Sequence, residues 1–174
     1  IFYDFFYNWN HLNMKITNKK LIYKYKNIIS LSKYNFIDPN SKRKTYDYHK
    51  INLRNAVMII VVNEKKEILL VKQFRPGIKT NTYELPGGMI EKKERAEQTA
   101  KRELFEETGI YKKKLKKILK YYRHSGYHCG SDTIFLTNVE KVKVNIKRKN
   151  KEILSLSWFP LDRLLSSQIN LKFK

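Results

Sequence analysis

Residues 88–110 read GMIEKKERAEQTAKRELFEETGI. Nothing from Arg95 to Thr108 breaks a helix. Gly109 then ends it, because glycine takes the left-handed cap conformation at no steric cost. Seven of the chain's 16 acidic residues fall between Glu84 and Glu107. On a helix, Glu103, Glu106 and Glu107 are three and four residues apart and share an arc of roughly 100°. Ala96 and Ala100 fall on the same side and leave the carboxylates open to approach. Like charges at this spacing repel, and no lysine stands four residues after Glu103 or Glu106 to relieve them. A divalent cation is the simplest neutraliser. An all-oxygen set of carboxylates suits the hard ions Mg2+ and Mn2+ and disfavours zinc. For such a helix alone, a solvated acidic face is the competing explanation.

The spacing adds a second constraint. Gly88 is followed after five residues by Glu94, and after seven more by Arg102-Glu103-Leu104, with Glu106-Glu107 and Gly109-Ile110 closing the pattern. This resembles the Nudix box, G-x5-E-x7-R-E-U-x-E-E-x-G-U with U a bulky aliphatic residue, at every specified position. The resemblance implies an α/β fold, an α/β/α sandwich around a mixed β-sheet, here with short N-terminal strands. It implies metal-dependent hydrolysis of a nucleoside diphosphate linked to another moiety, with Mg2+ as cofactor and Mn2+ as substitute. Carried over residue by residue, it makes Glu103 and Glu107 the main metal ligands, Glu106 an auxiliary ligand, and the Gly87 carbonyl a further contact. Arg102 orients a carboxylate together with Glu94, and Gly88 opens the substrate loop. Glu106, Glu107 and Arg102 count as catalytic on this basis. A pyrophosphate bridge is itself anionic, so carboxylates act on it only through cations that clamp its oxygens and activate water.

Working outward, VKQFRPGIKTNTYELPGGMIE (71–91) is similar to the ADP-ribose and ADP-sugar pyrophosphatase branch, where Q-[FY]-R-P precedes E-[LF]-P-[AG]-G. The likeness makes Arg75 a contact to substrate phosphates, a role that suits bidentate guanidinium geometry. IDPNSKRKTYDYHK (37–50) is similar to the branch's turn and strand whose aromatic stacks on adenine, which falls on Tyr46. The branch also carries a catalytic glutamate eight residues before a proline. Glu152 stands in that relation to Pro160 and is the only acid between Lys141 and Phe159, which makes it the candidate general base. The branch implies a nucleotide-sugar substrate, AMP and a sugar phosphate as products, and a homodimer whose N-terminal strands help form the neighbour's nucleotide site. Three departures stand out: a lysine-rich loop before Glu152, no proline in YYRHSGYHCGSD (121–132), and little final helix before Lys174. They leave open capped RNA, dinucleoside polyphosphates or oxidised nucleotides as substrates, or an RNA-binding module with residual hydrolase machinery.

The rest of the chain reads as strands at 21–26, 27–37, 45–53, 56–62, 67–73, 82–85, 119–124, 133–138 and 152–158, with a closing helix after Pro160. Residues 1–20 are expected as an N-terminal extension and 21–174 as one Nudix-like domain. The extension begins IFYDFFYNWNHLN, which resembles neither a secretory signal, with its basic start and aliphatic run, nor an Arg-rich transit peptide. Net charge is +21, from 37 lysines and arginines against 16 acids. This balance fits a polyanionic partner, and it equally fits an AT-rich coding bias, since alanine occurs only at Ala56, Ala96 and Ala100. Nucleic acid is not favoured, because the runs Lys112–Lys120 and Lys141–Lys151 lack regularly interleaved aromatics. The single cysteine, Cys129, excludes an internal disulfide and a multi-cysteine zinc cage, and points to a reducing compartment, the cytoplasm. The longest apolar run, Ala56–Val62, is far too short to span a bilayer. His124 and His128 lie outside any zinc motif.

Overall fold

The β-branched run becomes β4 (Ala56–Asn63), whose alternate residues Val57, Ile59 and Val61 are buried. The structure, a computed structural model, describes residues 15–37, 45–140 and 152–165. The Asp38–Ser41 turn and the Lys141–Lys151 run lie outside the described residues. The chain forms two compact units, one of residues up to 54 with 122–130, the other of 55–121 with 131 onward.

In the second unit, the Asn63 side chain accepts hydrogen bonds from the amides of Lys65 and Glu67 (3.0 and 2.9 Å) and turns the chain into β5 (Glu67–Arg75). β4 and β5 pair at Val62–Ile68. Further along they take different partners: β6 (Thr80–Glu84) pairs with β5, and β7 (Gly87–Met89) pairs with β4. The short β7 begins inside Pro86-Gly87-Gly88 and was not among the strands expected from the sequence. α1 (Ala96–Thr108) follows, then β8 (Lys116–Tyr122), β9 (Ser131–Val139), β10 (Ile153–Pro160) and α2 (Leu161–Leu165). The sheet order is β10-β5-β4-β9-β8. β4 and β9 run parallel, while β5 meets β10 and β6 antiparallel, so the sheet is mixed as expected. Ala100 and Leu104 of α1 enter the core with Val57, Ile59, Val61, Leu69, Ile110, Phe135 and Val139. Burying one such aliphatic side chain contributes about 2 kcal/mol, so this stripe fixes α1 on the sheet. At its C-terminal end Gly109 adopts φ 74° and donates its N–H to the Phe105 carbonyl at 2.9 Å.

The first unit holds β1 (Lys15–Tyr25), β2 (Ile29–Ile37) and β3 (Thr45–Leu53), an antiparallel sheet in that order. β1 begins at Lys15 rather than Leu21, because its pairing with β2 runs out to Lys15–Ile37. Segment 122–130 joins this unit through Ile51, whose amide donates to Tyr127 (2.8 Å) and whose carbonyl accepts from Cys129 (3.2 Å). Among the described residues, no helix is long and apolar enough to cross a membrane.

Candidate active site

Glu94 closes the loop before α1, and its carboxylate meets the Arg102 guanidinium side-on: Nε to Oε1 at 3.0 Å and Nη2 to Oε2 at 3.1 Å. Thr99 donates its hydroxyl to Glu94 Oε2 at 2.7 Å. These contacts, Arg102 foremost, hold Glu94 down to a pKa of about 2. The other arm of Arg102, Nη1, donates to Glu103 at 2.9 Å and Glu106 at 3.0 Å. No lysine stands four residues after these acids, as the sequence showed, but Arg102 relieves part of the repulsion from the preceding turn. Arg102 precedes Glu106 by four residues, and its planar fork serves three carboxylates at once.

Glu107 faces the other way. It is only 6% exposed, and its Oε2 accepts the Gly87 N–H at 2.9 Å. The expectation that Ala96 and Ala100 leave an open approach is corrected: Ala100 is fully buried and Ala96 packs against the core. Glu107 lies on that sheet-facing side. Burial pushes its pKa up to about 7, with the Glu103 charge adding to the rise and the Gly87 amide and Arg75 opposing it. Burial also raises Glu103, against the pull of Arg102. Gly88 has no side chain because a Cβ there would fall within the Glu103 carboxylate. At Gly87 a Cβ would strike the Val57 carbonyl across the β4–β7 pair. The two glycines thus let α1's acids reach the sheet backbone.

On β5, Arg75 forms a two-pronged ion pair with Glu84 of β6, Nε to Oε1 at 2.8 Å and Nη2 to Oε2 at 2.5 Å. Glu107 and Glu152 both lie within electrostatic reach of Arg75 and, with Glu84, raise its pKa. Glu152 is exposed and immediately precedes β10, whose Ile153 pairs with Gln73 of β5. The structure thus sets Glu107 and Glu152 within electrostatic reach of Arg75, and joins Glu94, Arg102, Glu103 and Glu106 by hydrogen bonds. Tyr46 sits on β3 opposite Phe36, in the other unit. Glu84, Gln73 and Thr82 escaped the sequence reading. The E-L-P-G-G motif held the signal for Glu84, but its partner depends on the β5–β6 register.

Among the described residues, no three acidic, histidine or cysteine side chains stand in a cation-holding group, since Glu103 and Glu106 turn to Arg102 while Glu107 turns to Gly87. The donor chemistry nonetheless fits a hard divalent ion. All donors are oxygens, Glu103 and Glu107 repel one another, and burial leaves both short of solvation. The acids also occupy the C-terminal half of α1, whose last turn carries no basic residue, although a helix C-terminus disfavours negative charge.

Residues 52–173 match the NUDIX domain family. The chain belongs to the Nudix family. Among its relatives is an ADP-ribose pyrophosphatase of Bacillus subtilis, 42% identical over 81 residues that cover 47% of this Nudix chain and 44% of that protein. An ADP-sugar pyrophosphatase of Mus musculus is 36% identical over 103 residues, 54% of this chain and 47% of its own length. An ADP-ribose pyrophosphatase of Saccharomyces cerevisiae is 30% identical over 138 residues, 74% and 58% of the two chains. The Nudix chain thus spans about half the length of these relatives. In fold it is similar to the crystal structure of an ADP compounds hydrolase, with a TM-score of 0.71 at 19% identity over 89% of this chain and 84% of the other.

Proposed function

We propose that this Nudix domain is a divalent-metal-dependent pyrophosphohydrolase that converts ADP-ribose or an ADP-sugar to AMP and a sugar phosphate. The observation that carries the reading is one guanidinium, Arg75, paired with Glu84 and within electrostatic reach of Glu107 and Glu152. An anion needs a cation to enter such a site. Glu103, Glu106 and Glu107, with the Gly87 carbonyl, would hold Mg2+ or Mn2+. Bound there, such an ion neutralises phosphate charge and makes a water a stronger nucleophile. Arg75 binds the phosphates. Arg102 orients Glu103 and Glu106. Glu152 takes the proton of the attacking water. Gly88 opens the loop at the substrate and leaves room for the Glu103 carboxylate. Tyr46 as the adenine-stacking residue and the homodimer rest on the branch resemblance, and a place in the cytoplasm rests on the single cysteine.

A panel of ADP-ribose, ADP-sugars, dinucleoside polyphosphates, oxidised nucleotides and capped RNA, compared by kcat/KM at fixed salt with Mg2+ and with EDTA, tests this. The expected order has ADP-ribose or an ADP-sugar first and no turnover in EDTA. Failure to cleave any member of the panel with Mg2+ or Mn2+ refutes it. A second reading, with capped RNA as substrate, draws on the acid-free segment between Glu107 and Asp132, whose seven lysines and arginines include those of the fully exposed β8. A first place for capped RNA in the same panel would select it.

A further inference from the structure

We propose that Glu84 is a positioning residue that sets the direction in which Arg75 meets the substrate phosphates, an inference that rests on the phosphate-binding role of Arg75. The β5–β6 register opposes Val71 to Glu84, Gln73 to Thr82 and Arg75 to Thr80. With side chains alternating along a strand, these three pairs line one face of the hairpin. The Arg75 side chain therefore runs back along that face to Glu84 and passes the strand pair between them.

Glu84 is itself fixed by more than its ion pair. Its Oε2 accepts from Gln73 Nε2 at 3.1 Å and from Arg75 Nη2, and its Oε1 accepts from the Thr82 hydroxyl and Arg75 Nε. Four donors fill the acceptor capacity of a carboxylate. Gln73 is only 5% exposed, so the clamp is anchored from the core side. An ordinary surface ion pair has no such anchor and holds no fixed geometry.

The need for a clamp follows from the charges around it. Besides Glu84, Arg75 feels Glu107 and Glu152. A guanidinium loose in that field is drawn onto either of them and occupies the acids assigned to the ion and to the water. Glu84 engages the Nε–Nη2 edge and leaves Nη1 without a hydrogen bond among the described residues. The Nη1 side is then the part of the guanidinium left to meet an anion.

The test compares five proteins: wild type, Glu84→Gln, Glu84→Asp, Arg75→Ala and the Glu84→Gln/Arg75→Ala double variant, with ADP-ribose at saturating Mg2+. Glu84→Gln is expected to raise KM about tenfold and to lower kcat less than about threefold. Glu84→Asp should recover most of the loss, and Glu84→Gln should add less than about twofold in the Arg75→Ala background. An unchanged KM in Glu84→Gln, or the same rise with Arg75 absent, overturns the proposal. Thr82→Val removes one donor from the carboxylate and gives the same readout, in weaker form, if Glu84→Gln does not fold. Calorimetric binding of inorganic pyrophosphate to the same proteins reads the coupling without turnover. A chain that shows this binding pattern and cleaves nothing in the substrate panel refutes the proposed function and keeps the clamp. Cleavage with additive variants does the reverse.

Discussion

Replacing Glu107 by glutamine should stabilise the protein at alkaline pH while removing its activity. The carboxyl is 6% exposed and its pKa rises from 4.5 to about 7, chiefly through burial. A native acid with a raised pKa holds its proton longer than the unfolded chain does. Its contribution to stability is complete below pH 4.5 and is lost as pH climbs through about 7. At about 1.4 kcal/mol per pH unit the full loss is about 3 kcal/mol, of which about 2 kcal/mol falls between pH 5 and 8. Glutamine cannot ionise, and its carbonyl can still accept the Gly87 N–H. Urea unfolding in EDTA at pH 5 and pH 8 measures the effect. The variant should gain about 2 kcal/mol on wild type across that interval. Glu94 and Glu84 do not interfere, because lowered acids lose their contribution only as pH falls below 4.5. Glu103 is present in both proteins, and its repulsion with Glu107 is already part of the raised pKa of Glu107. A stability difference that stays flat between the two pH values refutes the buried, costly carboxylate. Turnover in the variant should be nearly absent, and near-normal turnover would remove Glu107 from the metal set.

Other outcomes follow from the same geometry. Arg102→Ala leaves Glu94, Glu103 and Glu106 without their shared cation and should cost about 2 kcal/mol in urea unfolding; Arg102→Lys should recover less than half, since an ammonium has no fork. Gly88→Ala pushes only against the movable end of Glu103, so the fold should survive while the Mg2+ concentration needed for half-maximal rate rises about tenfold. Gly87→Ala pushes against the Val57 backbone and should lower stability by at least about 2 kcal/mol on thermal unfolding. Glu152→Gln should lower kcat about a hundredfold with little change in KM; an unaffected kcat places the base elsewhere.

The elements with the strongest local signatures were legible in the sequence. α1 ends where Gly109 demands, and β4 follows its β-branched run, because neither depends on distant partners. β7 was lost inside Pro-Gly-Gly, since three residues carry no period. β8 starts at Lys116 rather than 119, because a strand exposed throughout shows no alternation. At the site, the Arg102–Glu106 pair was available from the four-residue spacing alone. The burial of Glu107 was not, because it depends on which side of α1 meets the sheet. The Arg75–Glu84 clamp was hidden for a related reason: nine residues separate the partners, and only the hairpin register brings them together.

The acids at the trailing end of α1 have a consequence for evolution in the laboratory. Mutual repulsion and the helix dipole weigh against them, and burial against Glu103 and Glu107, so many neutral replacements there would make the protein sturdier. A library selected for heat resistance alone should therefore discard these glutamates early and leave the aliphatic stripe of β4 untouched. The order in which positions drift under such selection would mark out the working part of the molecule without any substrate being supplied.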